Sequence, residues 1–392
     1  MAEEVQQPQE QKVYAEDVQK ARLNKFLEFL VKHGGSDLHI KSNSQVRARI
    51  NGEIVKLSEQ IFTPADGLAL AKELVRGRFN DLIEQKSLDF TYKLNEDFRF
   101  RVNLFFQIDG ISAVFRAIPV QIPKIEELNV PLVIKRICER TNRGIILVTG
   151  PTGTGKTTTI ASMIDYINSI KPLHIVSIED PVEFVYRDKK SVINQRSLGQ
   201  DCNTFLDSLR AALREDPDII FVGEIRDSIT LETAMRAAET GHLVLSTLHT
   251  VDAKDTINRI LSMLETSEQN RIRTVFASVI EAIICQRLAK TTDGKRTPAV
   301  EVMVKNARIK DMILNNREHE IVDAIKDGRY TYGMQTFDQH LLELYQAGRV
   351  TLEEALDKAS NRSDLEMTIN NLNAEKKLQN ESPIQLQEID DE

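Results

Sequence analysis

Gly150-Pro-Thr-Gly-Thr-Gly155-Lys156-Thr157-Thr158 matches the pattern G-x-x-x-x-G-K-[ST] and stands between the apolar run Ile145-Ile-Leu-Val148 and a helix-forming run. Phosphate binding requires this shape. Glycines let successive backbone N–H groups curl around phosphate oxygens, and the positive end of the following helix points at the same place. In such a loop Lys156 reaches the β- and γ-phosphates, and the Thr157 hydroxyl is a Mg²⁺ ligand. The segment from Gly150 to Thr158, with Pro151, Thr152, Gly153, Thr154 and Gly155 inside it, therefore predicts a site for ATP or GTP. A Gly-rich surface turn would not need a strand before it and a helix after it.

Three more short, largely apolar runs lie downstream: Ile175-Val-Ser-Ile178, Ile219-Ile-Phe-Val222 and Leu243-Val-Leu245. Such runs, alternating with helices, fit a parallel sheet buried on both faces. Asp218-Ile-Ile-Phe-Val-Gly-Glu224 ends one run in an acid, with Gly223 where a second acid is common. That leaves Glu224 as the carboxylate able to orient an attacking water or to hold Mg²⁺ through water. Glu179-Asp180-Pro181-Val-Glu183 places up to three carboxylates after another run, at the strand edge where α/β folds bind ligands. His242 and His249 bracket Leu243–Leu248. Metal binding would need further ligands at nearby spacing, and none is present. Each is read either as a packed or capping imidazole or as one that senses the γ-phosphate or bonds a neighbouring acid.

The first third of the chain follows another grammar. Leu23, Phe26, Leu27, Leu30 and Val31 have helical spacing that Gly34-Gly35 stops. Val46–Ile50 and Glu53–Leu57 flank Asn51-Gly52, a two-residue hairpin loop. A helix opens at Thr63-Pro64, and strands follow at about 88–93, 98–106 and 111–118. In the middle strand Phe98, Phe100, Val102, Leu104 and Phe106 alternate with Arg99, Arg101 and Asn103, so one face is apolar and the other carries guanidinium. The expected organisation is a polar lead-in at 1–20, a small α+β domain with an antiparallel sheet at 21–118, and a Pro-marked extended linker at 119–132. A P-loop α/β domain at 133–365, mainly helical from about 255, and an acidic tail at 366–392 complete it.

The chain has 392 residues and a formal net charge of −8. Residues 1–20 carry −3 and residues 381–392 carry −5, so the body between is neutral. A neutral body argues against a nucleic-acid groove, which usually needs a basic stripe. No run of about 18 uncharged apolar residues could span a bilayer. The start M-A-E-E-V-Q-Q has neither a basic end nor an apolar core, so no signal peptide is expected. Cys138, Cys202 and Cys285 lie too far apart for a zinc knuckle or a disulfide framework and agree with a reducing, cytoplasmic compartment.

The phosphate loop, I-E-D-P-V-E-F, I-N-Q-R-S-L-G, A-L-R-E-D-P-D-I-I-F-V-G-E-I-R-D, A-A-E-T-G-H-L-V-L-S-T-L-H-T and G-M-Q-T-F-D-Q together resemble the twitching-motility (PilT/PilU) branch of the secretion ATPases. The resemblance runs from about residue 23 to 365 and includes G-S-D-L-H-I at Gly35–Ile40. It implies a PAS-like N-terminal domain, a RecA-like ATPase domain and a cytoplasmic homo-hexamer that hydrolyses ATP with Mg²⁺ to drive pilus retraction. An inner-membrane platform protein and a paralogous retraction ATPase are the implied partners, at the cytoplasmic face of the inner membrane. Glu179, Asp180 and Glu183 fall in the family's Asp box, Glu224 ends its Walker B strand, and His242 and His249 fall in its His box. Arg101 and Arg116 match arginines that the family directs toward phosphates, a task suited to a permanently charged bidentate fork. One departure is Ala307-Arg308-Ile-Lys310-Asp-Met-Ile313, which lacks the second arginine of the family's A-I-R-x-L-I-R helix.

Three other readings compete with a retraction motor. An accessory ATPase acting as a ring-stacked adaptor would share these motifs, although Glu224 speaks against a dead enzyme. A pilus-assembly or type II secretion ATPase usually adds an N-terminal domain and a C-x-x-C zinc insert, and neither is seen. A RecA-like nucleic-acid translocase is disfavoured by the neutral body.

Overall fold

The computed structural model describes residues 17–95, 97–118 and 121–381. The chain divides into two compact units, Met1–Val120 and Gln121–Glu392.

The N-terminal unit is a six-stranded sheet with strands β1 (Asp37–Lys41), β2 (Ser44–Ile50), β3 (Glu53–Phe62), β4 (Ser87–Lys93), β5 (Arg99–Gln107) and β6 (Gly110–Ile118). Their order is β3-β2-β1-β6-β5-β4, and every neighbouring pair is antiparallel. Asn51-Gly52 joins β2 to β3 as the hairpin expectation required, with Ile50 opposite Glu53. Phe100, Val102, Leu104 and Phe115 are buried with Leu23, Leu27 and Leu30 of the first helix and Leu70 of the helix Pro64–Val75. The alternation fails at its last member, since Phe106 is exposed and packs beneath the Lys86 ammonium.

The first helix begins at Val18, inside the expected lead-in. The backbone N–H groups of Gln19 and Lys20 donate to the Glu73 carboxylate at 3.3 and 2.7 Å. These N–H groups have no partner within their own helix, and the cap comes from more than fifty residues away, where no local pattern reveals it. Residues 1–16 lie outside the described residues.

The segment expected to be a linker instead packs on the C-terminal unit. Ile125 and Val130 are buried in its core, and the Ser162 hydroxyl donates to the carbonyl of Pro123 at 2.6 Å. The sheet of this unit holds β7 (Gly144–Thr149), β8 (His174–Glu179), β9 (Val192–Ser197), β10 (Ile219–Val222), β11 (Leu243–Leu248), β12 (Ile280–Lys290) and β13 (Arg296–Val304). The order is β13-β12-β7-β11-β10-β8-β9, parallel throughout except for the edge strand β13. Every residue of β7, β10 and β11 is buried, as continuous apolar runs require.

β12 and β13 correct the expectation that residues 255–365 are mainly helical. The helix Gln269–Val279 passes straight into β12 with no glycine or proline between them, so the usual punctuation of a boundary is missing. The expected acidic tail also begins too early. Residues Arg362–Glu381 form a helix, and its Leu365 and Ile369 are buried in the core. The remainder of the tail, residues 382–392, lies outside the described residues. Among the described residues no helix is long and apolar enough to cross a membrane.

Candidate active site

Parallel strands deliver their C-terminal ends to one edge of the sheet, and the turns that follow them form the site. Behind β7, β8, β10 and β11 come Gly150–Thr158, Glu179–Glu183, Gly223–Arg226 and His249. Residues from each of them, including Lys156, Glu179, Asp180, Glu183, Glu224, Arg226 and His249, line one cleft of about 510 Å³ with Phe205, Phe221 and Thr247.

The loop leaves β7 in a conformation that demands glycine. Gly150 has φ 146°, and a Cβ there would stand 2.4 Å from the carbonyl oxygen of Gln286 on β12. The helix Lys156–Ile170 starts directly behind Gly155. The Lys156 ammonium donates to the carbonyls of Gly150 and Pro151 at 2.7 and 3.1 Å, so it spans the mouth of the loop. Burial lowers its pKa, against the opposing pull of Glu224 and Glu183. Gln286 reaches the same helix from below, its side-chain amide donating to the Thr159 hydroxyl at 2.8 Å.

The turn after β10 brings Glu224 opposite the loop. Gly223, where a second acid is common, is closely approached: a Cβ there would lie 3.2 Å from the carbonyl oxygen of Ile178, a tight contact. Glu224 is held through one oxygen, with Arg226 Nε donating to Oε2 at 2.8 Å, while His249 Nε2 lies 3.3 Å from Oε1. Arg226 also stands 3.8 Å from Asp180. Glu179 is buried, and its Oε1 accepts from the Ser177 hydroxyl at 2.7 Å and the Gln195 amide at 3.2 Å. Burial outweighs these bonds and pushes its pKa up to about 7.

The other predicted residues lie elsewhere. His242 sits at the opposite end of β11, where Nδ1 meets the Ala237 carbonyl at 2.9 Å and the Thr240 hydroxyl at 3.2 Å. Six strand residues at about 3.3 Å each separate it from His249, so it does not reach this cleft. This corrects the pairing of the two histidines in one site. Arg101 and Arg116 are directly opposite each other on β5 and β6, on the exposed sheet face of the N-terminal unit. Arg116 Nε donates to Asp37 at 2.8 Å, so Asp37 of the G-S-D-L-H-I run anchors it. Arg226, Thr247, Phe205, Ser177 and Gln195 were not singled out from the sequence. Arg226 stands in the quoted G-E-I-R-D run and Gln195 in I-N-Q-R, but their partners are tertiary. Among the described residues no cluster of three or more His, Cys, Asp or Glu could hold a metal by itself.

Glu179 makes stability depend on pH. Its carboxyl holds a proton in the folded chain between the ordinary value of 4.5 and about 7, where the unfolded chain has lost it. Folding therefore loses stability as pH rises through that window, by about 1.4 kcal/mol for each pH unit crossed. Glu179→Gln retains an oxygen that can accept both bonds but cannot ionise. Urea unfolding at pH 5 and pH 8 should show the variant gaining about 2–3 kcal/mol on wild type between the two values.

The family model for Type II/IV secretion system proteins matches residues 14–388. The chain is 39% identical over 338 residues to the Type IV pilus retractation ATPase PilT of Pseudomonas aeruginosa, covering 86% of this chain and 98% of that protein. It is 35% identical to the Type IV pilus ATPase PilU of the same organism, covering 88% and 90%. The crystal structure of the pilus retraction motor PilT with bound ADP superposes with a TM-score of 0.81 at 40% identity, covering 88% of this chain and 99% of that one. With a phosphate loop, a facing acid and a family match across nearly its whole length, the chain belongs to the Type II/IV secretion system protein family, in its PilT-like branch.

Proposed function

We propose that the chain is an ATP-hydrolysing motor of type IV pilus retraction, working in the cytoplasm as a homo-hexamer. The observation that carries the reading is the single cleft in which the Lys156 loop, Glu224, His249 and the Glu179–Glu183 carboxylates converge. Backbone N–H groups of the loop cradle the phosphates, and Lys156 exchanges its two carbonyl partners for phosphate oxygens of much greater charge. Glu224 orients the attacking water and receives its proton. His249, beside Glu224, reports the terminal phosphate to that carboxylate. Asp180 and Glu183 hold the water network at the rim.

The donor set suits Mg²⁺, which takes one or two protein oxygens and completes its shell with water and phosphate rather than with a protein cage. Thr157 would hold it directly and Glu224 through water. When bound, the ion neutralises charge on the phosphates.

Arg101 and Arg116 are proposed to present guanidinium groups to phosphates from the N-terminal unit, and a ring gives them a neighbouring subunit's nucleotide to reach. The platform protein of the inner membrane and a paralogous ATPase are the proposed partners.

Purified protein should hydrolyse ATP with Mg²⁺, and Lys156→Ala should lose nucleotide binding. Glu224→Gln should bind ATP as wild type does while its turnover falls at least about 100-fold, since it loses transition-state rather than ground-state stabilisation. Near-normal turnover would move the role to Glu179 or Asp180. Arg101→Ala should keep most ATP affinity and lose most turnover. Mixed with Lys156→Ala it should regain activity in verified mixed rings if Arg101 serves a neighbouring subunit, whereas no regain would place its action within one chain.

A further inference from the structure

Arg226 is an arginine inside the cleft, supplied by the same turn as Glu224. That turn is fixed at both ends. Gly223 N donates to the Ile178 carbonyl at 2.8 Å, and the Gly223 carbonyl accepts from the Thr247 hydroxyl at 2.6 Å. Three residues on from Glu224, Asp227 caps the helix Ser228–Glu239 by accepting from the backbone N–H of Thr230 at 2.8 Å. Between these anchors Ile225 is buried, 2% exposed. Ile225 packs into the core while Glu224 and Arg226 on either side of it both line the cleft.

The contact is specific. Arg226 Nε takes one carboxylate oxygen of Glu224 at 2.8 Å, and His249 stands 3.3 Å from the other. Each carboxylate oxygen has two lone pairs, so the Arg226 bond with His249 nearby leaves acceptor capacity for a water. Glutamate alone has three rotatable bonds and would sample many positions. The planar guanidinium is pre-organised, so little freedom is lost in holding it. The Arg226 side chain is 60% exposed, and a pair this exposed adds little to fold stability. Its value lies in geometry, because a misplacement of about 1 Å of a catalytic group costs up to about 100-fold in rate.

We propose that Arg226 is a positioning residue for ATP hydrolysis, fixing the Glu224 carboxylate against His249 and acting through Glu224 rather than on the nucleotide. This rests on the ATPase reading. It also gives the motor an arginine within the ATPase unit itself, independent of Arg101 and Arg116.

A double-mutant cycle tests it, read by single-turnover phosphate release, KM for ATP and Kd for ADP. Arg226→Ala should lower the hydrolysis rate about 10- to 100-fold and leave KM and Kd within about threefold of wild type. Arg226→Lys, with one donor centre in place of the fork, should recover part of the rate. In a Glu224→Gln background, Arg226→Ala should lower the rate by no more than about twofold, because the group it acts through is gone. The full fall in that background would show direct action on phosphate and overturn the proposal. So would a loss of ADP affinity that tracks the loss of rate, or a wild-type rate in Arg226→Ala. A failure of the ATPase reading is distinguishable, because the wild-type protein would then release no phosphate.

Discussion

Gly150 lies between two strands with no space for a side chain, and the nucleotide site depends on that closeness. On one side its N–H donates to Leu248 of β11 at 3.3 Å. On the other, the carbonyl oxygen of Gln286 on β12 stands 2.4 Å from where a Cβ would be. Gln286 then reaches past the loop to Thr159 in the first turn of the following helix. Loop entry and helix start are therefore both tied to one β12 residue, which fixes the curl of the backbone between them before any phosphate arrives. Pre-organisation of this kind is what lets backbone N–H groups stabilise charge without reorganising.

The acids around the loop are kept distinct by environment. Glu179 is enclosed and drawn toward its neutral form, while Glu224 is partly open to the cleft and held by a permanent cation. Two carboxylates after neighbouring strands thus have different chemistry, the usual way in which one site separates structural acids from working ones. Gly223 contributes by absence. With the carbonyl of Ile178 3.2 Å from the place of its Cβ, a side chain before Glu224 would press on the end of β8, which would have to give by a few tenths of an ångström.

The sheet centre and the phosphate loop were legible in the sequence because both are local signals: continuous apolar runs at 145–148, 175–178 and 219–222, and fixed glycine spacing. What stayed hidden was tertiary. β12 follows a helix without a breaker, so the strand that supports Gly150 read as more helix. The start of the first helix is capped by Glu73, and Leu365 and Ile369 are buried in a core that includes the two preceding helices, Phe337–Gln346 and Leu352–Lys358. Within the site, spacing found Glu224 and His249 but also offered His242, because a sequence does not say which end of a strand carries the chemistry. Arg226 escaped because its meaning is its bond to Glu224.

Nucleotide affinity of two glycine variants tests the dependence of the site on the β11–Gly150–β12 contact. Gly150→Ala sets a methyl against the Gln286 carbonyl, whereas Gly153→Ala in the same loop meets nothing within 4 Å. Calorimetric ADP titration should show binding abolished in Gly150→Ala and weakened by no more than about thirtyfold in Gly153→Ala, the cost of a left-handed conformation being about 1–2 kcal/mol. Wild-type affinity in Gly150→Ala, or equal losses in the two variants, would contradict the account.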